Sequence, residues 1–149
     1  MKSLFDQDTH QEIKDRLQSL TPDSERKWGK MTVAQMLHHC QQPLLIGLEK
    51  ITIEKPPFIM GLIMKMVKSS LHNDKPWKKG LPTAKEFIVD TDKDFLKEKE
   101  TLALLIDEFH QLKTKETWKP HPIFGKFTKE EWGKMQYKHL DHHFTQFSN

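Results

Sequence analysis

Apolar residues recur every three or four positions in four separate stretches of the chain, which is the spacing of an amphipathic helix. The four predicted helices run from about Thr9 to Leu20, Val33 to Glu49, Asp92 to Leu112 and Lys129 to Phe147. Their inward-facing positions are, in chain order, Ile13, Leu17 and Leu20; Val33, Met36, Leu37, Cys40 and Leu44; Phe95, Leu102, Leu105, Ile106, Phe109 and Leu112; and Trp132, Gly133, Met135, Leu140, Phe144 and Phe147. The pattern predicts an all-α fold, a four-helix bundle of the up-down type.

Two of these helices begin with a predicted capping box. In this motif a Ser or Thr side chain and a Glu or Gln three residues later each accept a hydrogen bond from the other's backbone N–H. Thr32-Val-Ala-Gln35 and Thr128-Lys-Glu-Glu131 have the required spacing. They place the beginnings of the second and the last of the four helices.

A long connection, Lys50 to Val89, joins the second and third of these helices and carries an extra element. After Ile51-Thr-Ile-Glu54, which could be a short extended piece, Phe58–Val67 is apolar nearly all round. We expect an additional helix there, with most of its apolar side chains buried against one end of the bundle or against a second subunit. The alternatives are plain packing, a dimer contact, or a lid with Met60, Met64 and Met66 as a deformable pocket wall.

Composition agrees with one cytoplasmic domain spanning residues 1–149. The net charge is only +3, and the single cysteine excludes an internal disulfide and fits a reducing compartment. The N-terminus lacks the apolar region of a signal peptide, and no run approaches the roughly 20 apolar residues that span a bilayer. Six lysines and one acid, Asp74, lie between Lys55 and Lys79. That segment could attract an anionic substrate or nucleic acid, but a solvated loop is favoured. We therefore expect neither a nucleic-acid nor a membrane partner.

The histidines are the candidate chemistry. His139-Leu-Asp-His-His143 places two imidazoles four residues apart, on one face of a helix. His139 and His143 fall inside the apolar arc, whereas His142 falls at its edge. Such a pair can hold a divalent metal, and a third ligand from another helix would leave coordination positions open for catalysis. The alternative is a pair of core histidines that hydrogen-bond to their neighbours.

A second histidine pair, His38-His39, lies on the helix that begins after Thr32. The two residues flank the apolar stripe on opposite sides, so the helical pattern alone does not choose between them. Pro43 lacks the N–H that would bond to the carbonyl of His39, and we expect the helix to kink or loosen there. The neighbouring Cys40 is interpreted as a small core residue rather than a nucleophile.

Three ordered motifs carry a family resemblance. They are Trp28-Gly-Lys-Met-Thr-Val-Ala-Gln-Met-Leu-His-His-Cys40, His121-Pro-Ile-Phe-Gly-Lys-Phe-Thr-Lys-Glu-Glu-Trp132 and His139-Leu-Asp-His-His143-Phe-Thr-Gln146. Together they resemble the DinB/YfiT-like superfamily of metalloenzymes, and within it an uncharacterised branch with the His-Pro-x-Phe-Gly-Lys-x-Thr-x-Glu-Glu-Trp segment. The resemblance implies a four-helix bundle that holds one metal through a histidine of the second helix and a His-x-x-x-His pair of the last. By this match the ligands are His39, His139 and His143, and Gln146 matches a glutamine that often follows the pair.

The function predicted from these residues is a metal-dependent enzyme that acts on a small molecule. Imidazole ligands favour Zn, Ni or Fe over Mg or Ca. Some members of the superfamily are thiol-dependent transferases or isomerases, so the resemblance implies a transferase or hydrolase activity and a low-molecular-weight thiol as partner. The alternative is a non-catalytic bundle that binds a ligand or forms a homodimer. The sequence offers no general base beside the histidines.

Overall fold

The computed structural model describes residues 1–81, 83 and 85–147, apart from the side chain of Met60. It contains five α-helices: α1 (Gln7–Ser19), α2 (Val33–Gly47), α3 (Phe58–Val67), α4 (Phe95–Gln111) and α5 (Lys129–Gln146). Short 3-10 helices cover Lys68–Leu71, Lys85–Phe87 and Leu112–Thr114. The described residues form no strand, only an isolated bridge between His121 and Gly125. The predicted all-α class is confirmed.

The helix beginnings follow from local capping. Thr32 and Thr128 each accept from the backbone N–H three residues later, and both predicted capping boxes are present. Asp94 caps α4 by accepting from the backbone N–H of Lys97 at 2.8 Å. The periodicity predicted a start near Asp92. Because this cap sets the first turn, α4 begins at Phe95 instead.

The core lies between the four long helices. α2 packs mainly on α4, and α1 and α5 both contact this pair. The largest fully buried side chains are Trp132, Phe109, Phe144 and Phe147. Gly47, the last residue of α2, permits the close approach to α4, because a Cβ there would lie 2.6 Å from Cε2 of Phe109. The inward positions predicted for the first, second and last of the four helices are all buried. Of those predicted for the third, Phe95 at the start of α4 and Leu112 just after its end are only partly buried.

α3 departs from its prediction. Its bounds, Phe58–Val67, are those predicted, but those of its apolar side chains that the structure describes are not buried against the other helices. Phe58, Ile59 and Met66 are 80%, 73% and 82% exposed. The expectation of burial against one end of the bundle was wrong, because an apolar run predicts a helix without showing what covers it. Within the described part of the chain, no helix is long and apolar enough to cross a membrane.

The segment after α3 attaches to α5 through a buried lysine. The charge of Lys138 and its position opposite the apolar positions of α5 favour the solvent side of the helix, yet only 6% of this residue is exposed. Its Nζ donates to the carbonyls of Ser70 and Asn73 at 2.7 and 2.8 Å and to Oδ1 of Asn73 at 2.8 Å. Residues 70–73 therefore cover a face of α5 that periodicity alone assigns to solvent.

Candidate metal centre

α2 and α5 bring three histidines together. Nε2 of His139 lies 3.1 Å from Nε2 of His39, and one ring nitrogen from each of His39, His139 and His143 lies within 4.8 Å of the other two. The upper limit of 4.8 Å exceeds the distance that one shared metal ion allows. With metal–nitrogen bonds of about 2.1 Å, two ligand atoms can be no more than about 4.2 Å apart. Binding of one ion by all three rings therefore requires some of these nitrogens to move closer together.

Hydrogen bonds to carbonyl oxygens fix the tautomers of two of these rings. Nδ1 of His39 donates to the backbone carbonyl of Phe87 at 3.0 Å. Nδ1 of His143 donates to Oε1 of Gln146 at 3.0 Å. In a neutral imidazole the other nitrogen then carries a lone pair, so both residues offer Nε2 as a ligand atom. Metal-binding histidines in general donate their second N–H in this way.

Gln146 is itself held from the other end of the chain. Its Nε2 donates to the carbonyl of Trp28 at 2.7 Å. Gly29, which follows Trp28, has φ +84°, and a Cβ there would lie 2.4 Å from Nε2 of Gln146. Any other residue at position 29 would be strained and would push against this amide. The Trp28-Gly29 dipeptide therefore supports His143 through Gln146, a role that the sequence analysis did not assign.

His139 differs from the other two rings. Its Nδ1 is buried and has no hydrogen-bonding partner among the described residues, while its Nε2 faces the lone pair on Nε2 of His39. Two ring nitrogens at this distance require a proton or another cation between them. A metal ion shared by the rings would meet the same requirement at Nε2. Neither a proton nor a metal ion there provides a partner for Nδ1 of His139 among the described residues.

Burial keeps all three imidazoles neutral. Burial, followed by the proximity of His39, lowers the pKa of His143 to about 3. Burial, followed by the proximity of His143 and His39, lowers the pKa of His139 well below its usual value. The pKa of His39 is also lowered by burial. Neutral imidazole is the form that binds metals, so protons do not compete for these lone pairs near pH 7.

The adjacent histidines lie outside the cluster. His38 is half-buried, and its Nδ1 is 2.9 Å from Oε2 of Glu98 on α4. The ring of His142 lies between two tryptophans, with centroid distances of 5.7 Å to Trp28 and 5.6 Å to Trp77. The structure therefore groups His39, and not His38, with the pair on α5. That the three residues bind a metal stays a prediction.

Other residues singled out from the sequence have structural roles. α2 continues through Pro43, whose carbonyl accepts from Nε2 of Gln136 on α5 at 2.7 Å. Cys40 is fully buried, its Sγ lies 3.5 Å from Sδ of Met36, and burial raises its thiol pKa. A thiol that stays protonated in the core is no nucleophile.

A half-open cavity of about 620 Å³ lies against the three histidines. Its walls are mostly apolar, and none of the described lining residues is acidic. The described part of the connection between α2 and α4 contributes seven residues to its wall: Ser70, Leu71, Trp77, Gly80, Leu81, Thr83 and Phe87. Met64 and Met66, predicted as wall residues, do not line the cavity, and the side chain of Met60 lies outside the described residues.

His121 adds one polar group to this cavity. The residue is 5% exposed and lines the cavity, and its Nδ1 accepts from the backbone N–H of Ile123 at 3.1 Å. Nε2 therefore carries the proton of the neutral ring. Burial lowers the pKa of His121 to about 4, so the ring is a neutral donor near pH 7. The sequence analysis noted its motif but gave the residue no role, because the tautomer depends on a turn closed by Gly125 at φ +77°.

The chain belongs to the DUF1569 family, described as proteins of unknown function, whose family model matches residues 2–149. Neither the curated proteins nor the solved structures include a match to it. The functional conclusion therefore rests on the site itself.

Proposed function

We propose that this protein is a metal-dependent enzyme in which His39, His139 and His143 hold one divalent ion. The observation that carries the proposal is the convergence of three neutral imidazoles, two buried and one, His143, partly buried. Two of them, His39 and His143, are oriented by carbonyl oxygens so that Nε2 is the ligand atom. Three protein ligands leave coordination positions open, which is the arrangement of catalytic rather than structural sites.

The architecture we propose for the four long helices, α1, α2, α4 and α5, is an up-down four-helix bundle of the DinB/YfiT-like type. Its long crossover, between α2 and α4, carries α3. What supports this assignment is the origin of the candidate ligands, one from α2 and an i, i+4 pair from α5. This is the distribution that the sequence resemblance implies.

Imidazole-only ligation favours Zn, Ni or Fe as the ion. Such an ion, when bound, lowers the pKa of a coordinated water or thiol and so supplies a nucleophile near neutral pH. Phe87 and Gln146 hold the ligand rings in the orientation that this requires.

The cavity determines what can reach the site. Its walls are mostly apolar, and Trp28, Trp77 and His142 offer ring surfaces to a substrate. Lys30 and the Nε2–H of His121 are its donors for an anionic or carbonyl group. The cavity fits a small, largely apolar molecule with one polar end, and we propose a transferase or hydrolase reaction with a low-molecular-weight thiol. A thiol substrate also fits a reducing cytoplasm.

The test is metal analysis of untagged protein purified without a nickel column. We expect close to one equivalent of Zn, Ni or Fe per chain in the wild type and a loss of most of it in His139→Ala. The matched control is His38→Ala, which removes an adjacent imidazole that is bonded to Glu98 instead. Circular dichroism of each variant separates loss of metal from loss of fold.

Two outcomes would contradict the proposal. One is wild-type protein that contains no metal and gains none on titration with Zn²⁺, Ni²⁺ or Fe²⁺. The other is a folded His139→Ala variant that binds the ion as tightly as the wild type. Either outcome favours the non-catalytic alternative, a helical module whose histidines serve only to pack the core.

A further inference from the structure

We propose that the exposed apolar face of α3 is the contact surface of a two-fold symmetric dimer of this chain. The inference does not depend on the proposed metal chemistry. Six large apolar side chains of α3 are exposed, by between 44% and 82%: Phe58, Ile59, Leu62, Ile63, Met66 and Val67. At 100° per residue they fall on one half of the helix surface, so they form a single continuous face.

The size of this face sets it apart from the rest of the surface. Ten large apolar residues are exposed in the described part of the chain, and six of them are on α3. Monomeric proteins rarely expose a continuous apolar patch larger than a few hundred Å². Side chains of this size contribute on the order of 100 Å² each, so the face offers roughly 600 Å² against the about 800 Å² per partner of a stable interface. Small neighbouring contacts would supply the difference.

The charge pattern favours a second copy over a lipid surface. Helices that lie on membranes have a polar face rich in Lys or Arg, whereas Lys65 is the one charged residue within α3. Of the lysines that flank the helix, Lys68 is held by Glu131 and by the carbonyl of Lys126. In sequence register, Lys65 falls at the edge of the exposed face. An apolar centre with charge at the rim is the composition of homodimer interfaces.

The proposed interface lies next to the cavity wall. Beyond its own turns, the main neighbour of α3 is the 3-10 helix Lys68–Leu71 that follows it. Ser70 and Leu71 of that turn line the cavity, and Lys138 ties Ser70 to α5. In a dimer formed through α3, the turn Lys68–Leu71 of each chain would lie between the interface and α5. Each chain's cavity would thus have one wall fixed from both sides.

The test is the oligomeric state, measured by sedimentation velocity over a range of protein concentrations. We expect a dimer for the wild type and at least a 100-fold weaker self-association for the double variant Ile59→Glu/Met66→Glu. The matched control is Leu96→Glu/Leu104→Glu, which places two charges at exposed leucines of α4 and should leave the dimer intact. Because all four side chains are exposed within one chain, circular dichroism should remain unchanged.

A wild-type protein that stays monomeric at every concentration would overturn the proposal. So would a dimer that survives the α3 variant, since its interface would then lie elsewhere. Flotation with vesicles of phosphatidylcholine alone and of phosphatidylcholine with phosphatidylglycerol is run in parallel. If the wild type is a monomer that binds these vesicles, and Ile59→Glu/Met66→Glu abolishes the binding, the face is a lipid-binding surface. This outcome would also overturn the proposed dimer.

Discussion

Two apolar helices of this chain have opposite surroundings. α2 has its stripe buried against α4 and α5, whereas α3, the more continuously apolar of the two, exposes six of its large side chains. The histidine cluster belongs to the first region, and the proposed dimer surface belongs to the second. The comparison shows that apolar content predicts that a helix forms, while burial depends on which other elements the topology brings to it.

The largest expected effect contrasts Phe109 of α4, which packs against α2, with Phe58 of α3. Phe109→Ala removes a fully buried ring and should lower the free energy of unfolding by about 3–5 kcal/mol. Phe58→Ala removes a ring that is 80% exposed and should change it by no more than about 0.5 kcal/mol. Urea denaturation, at concentrations where the chain is monomeric, measures both. Equal effects would mean that α3 is packed within the single chain.

Acid should lower the free energy of unfolding through protonation of the buried His121. Its pKa is about 4 in the folded chain against 6.5 in the unfolded chain, so the unfolded state binds more protons between these values. The stabilisation is complete above about pH 6.5 and is lost as the pH falls towards 4, by a total of about 3 kcal/mol. The matched variant is His121→Asn, whose side-chain oxygen can still accept from the Ile123 N–H.

Urea denaturation across this pH range, performed on both proteins, isolates the contribution of the imidazole. The difference between their free energies of unfolding should be constant above pH 6.5. Below that pH the free energy of unfolding should fall more for the wild type than for His121→Asn. Parallel curves down to pH 4 would show that His121 is protonated in the folded protein as readily as in the unfolded one.

Within the core region, adjacent histidines should behave differently. His39→Ala and His143→Ala each remove a proposed ligand and should lower metal occupancy tenfold or more. His38→Ala and His142→Ala should leave occupancy nearly unchanged, because the structure bonds one to Glu98 and places the other between tryptophan rings. Competition with a chelator of known affinity measures all four. Metal loss in His38→Ala, with retention in His39→Ala, would show that the assigned register is wrong.

A smaller effect is expected from the group that orients His143. Gln146→Leu keeps the size of the side chain but removes the oxygen that accepts from Nδ1, and it should weaken metal binding by about tenfold. Gln146→Glu, which restores an acceptor, is the comparison variant, and the same chelator assay applies. Unchanged affinity in Gln146→Leu would show that the ring needs no such support.

The sequence predicted the helices well because their signals are local. Capping boxes fixed the beginnings of α2 and α5, and the apolar run gave both ends of α3. The proximity of His39 to the α5 pair was predicted too, though only the family resemblance chose it over His38. What escaped prediction depends on contacts between distant residues. Neither the covering of Lys138 by residues 70–73 nor the support of Gln146 by Trp28 has a local signal.

The bond between Gln146 and the Trp28 carbonyl spans 118 residues of sequence, and the contact between His39 and His139 spans 100. We expect contacts so far apart along the chain to form late in folding, because closing a long loop costs conformational entropy. Before that stage only His139 and His143 could bind an ion together, and without the orientation that Gln146 provides. The complete three-histidine site therefore arises only once both ends of the chain have docked, so an ion bound there marks a finished fold rather than nucleating one.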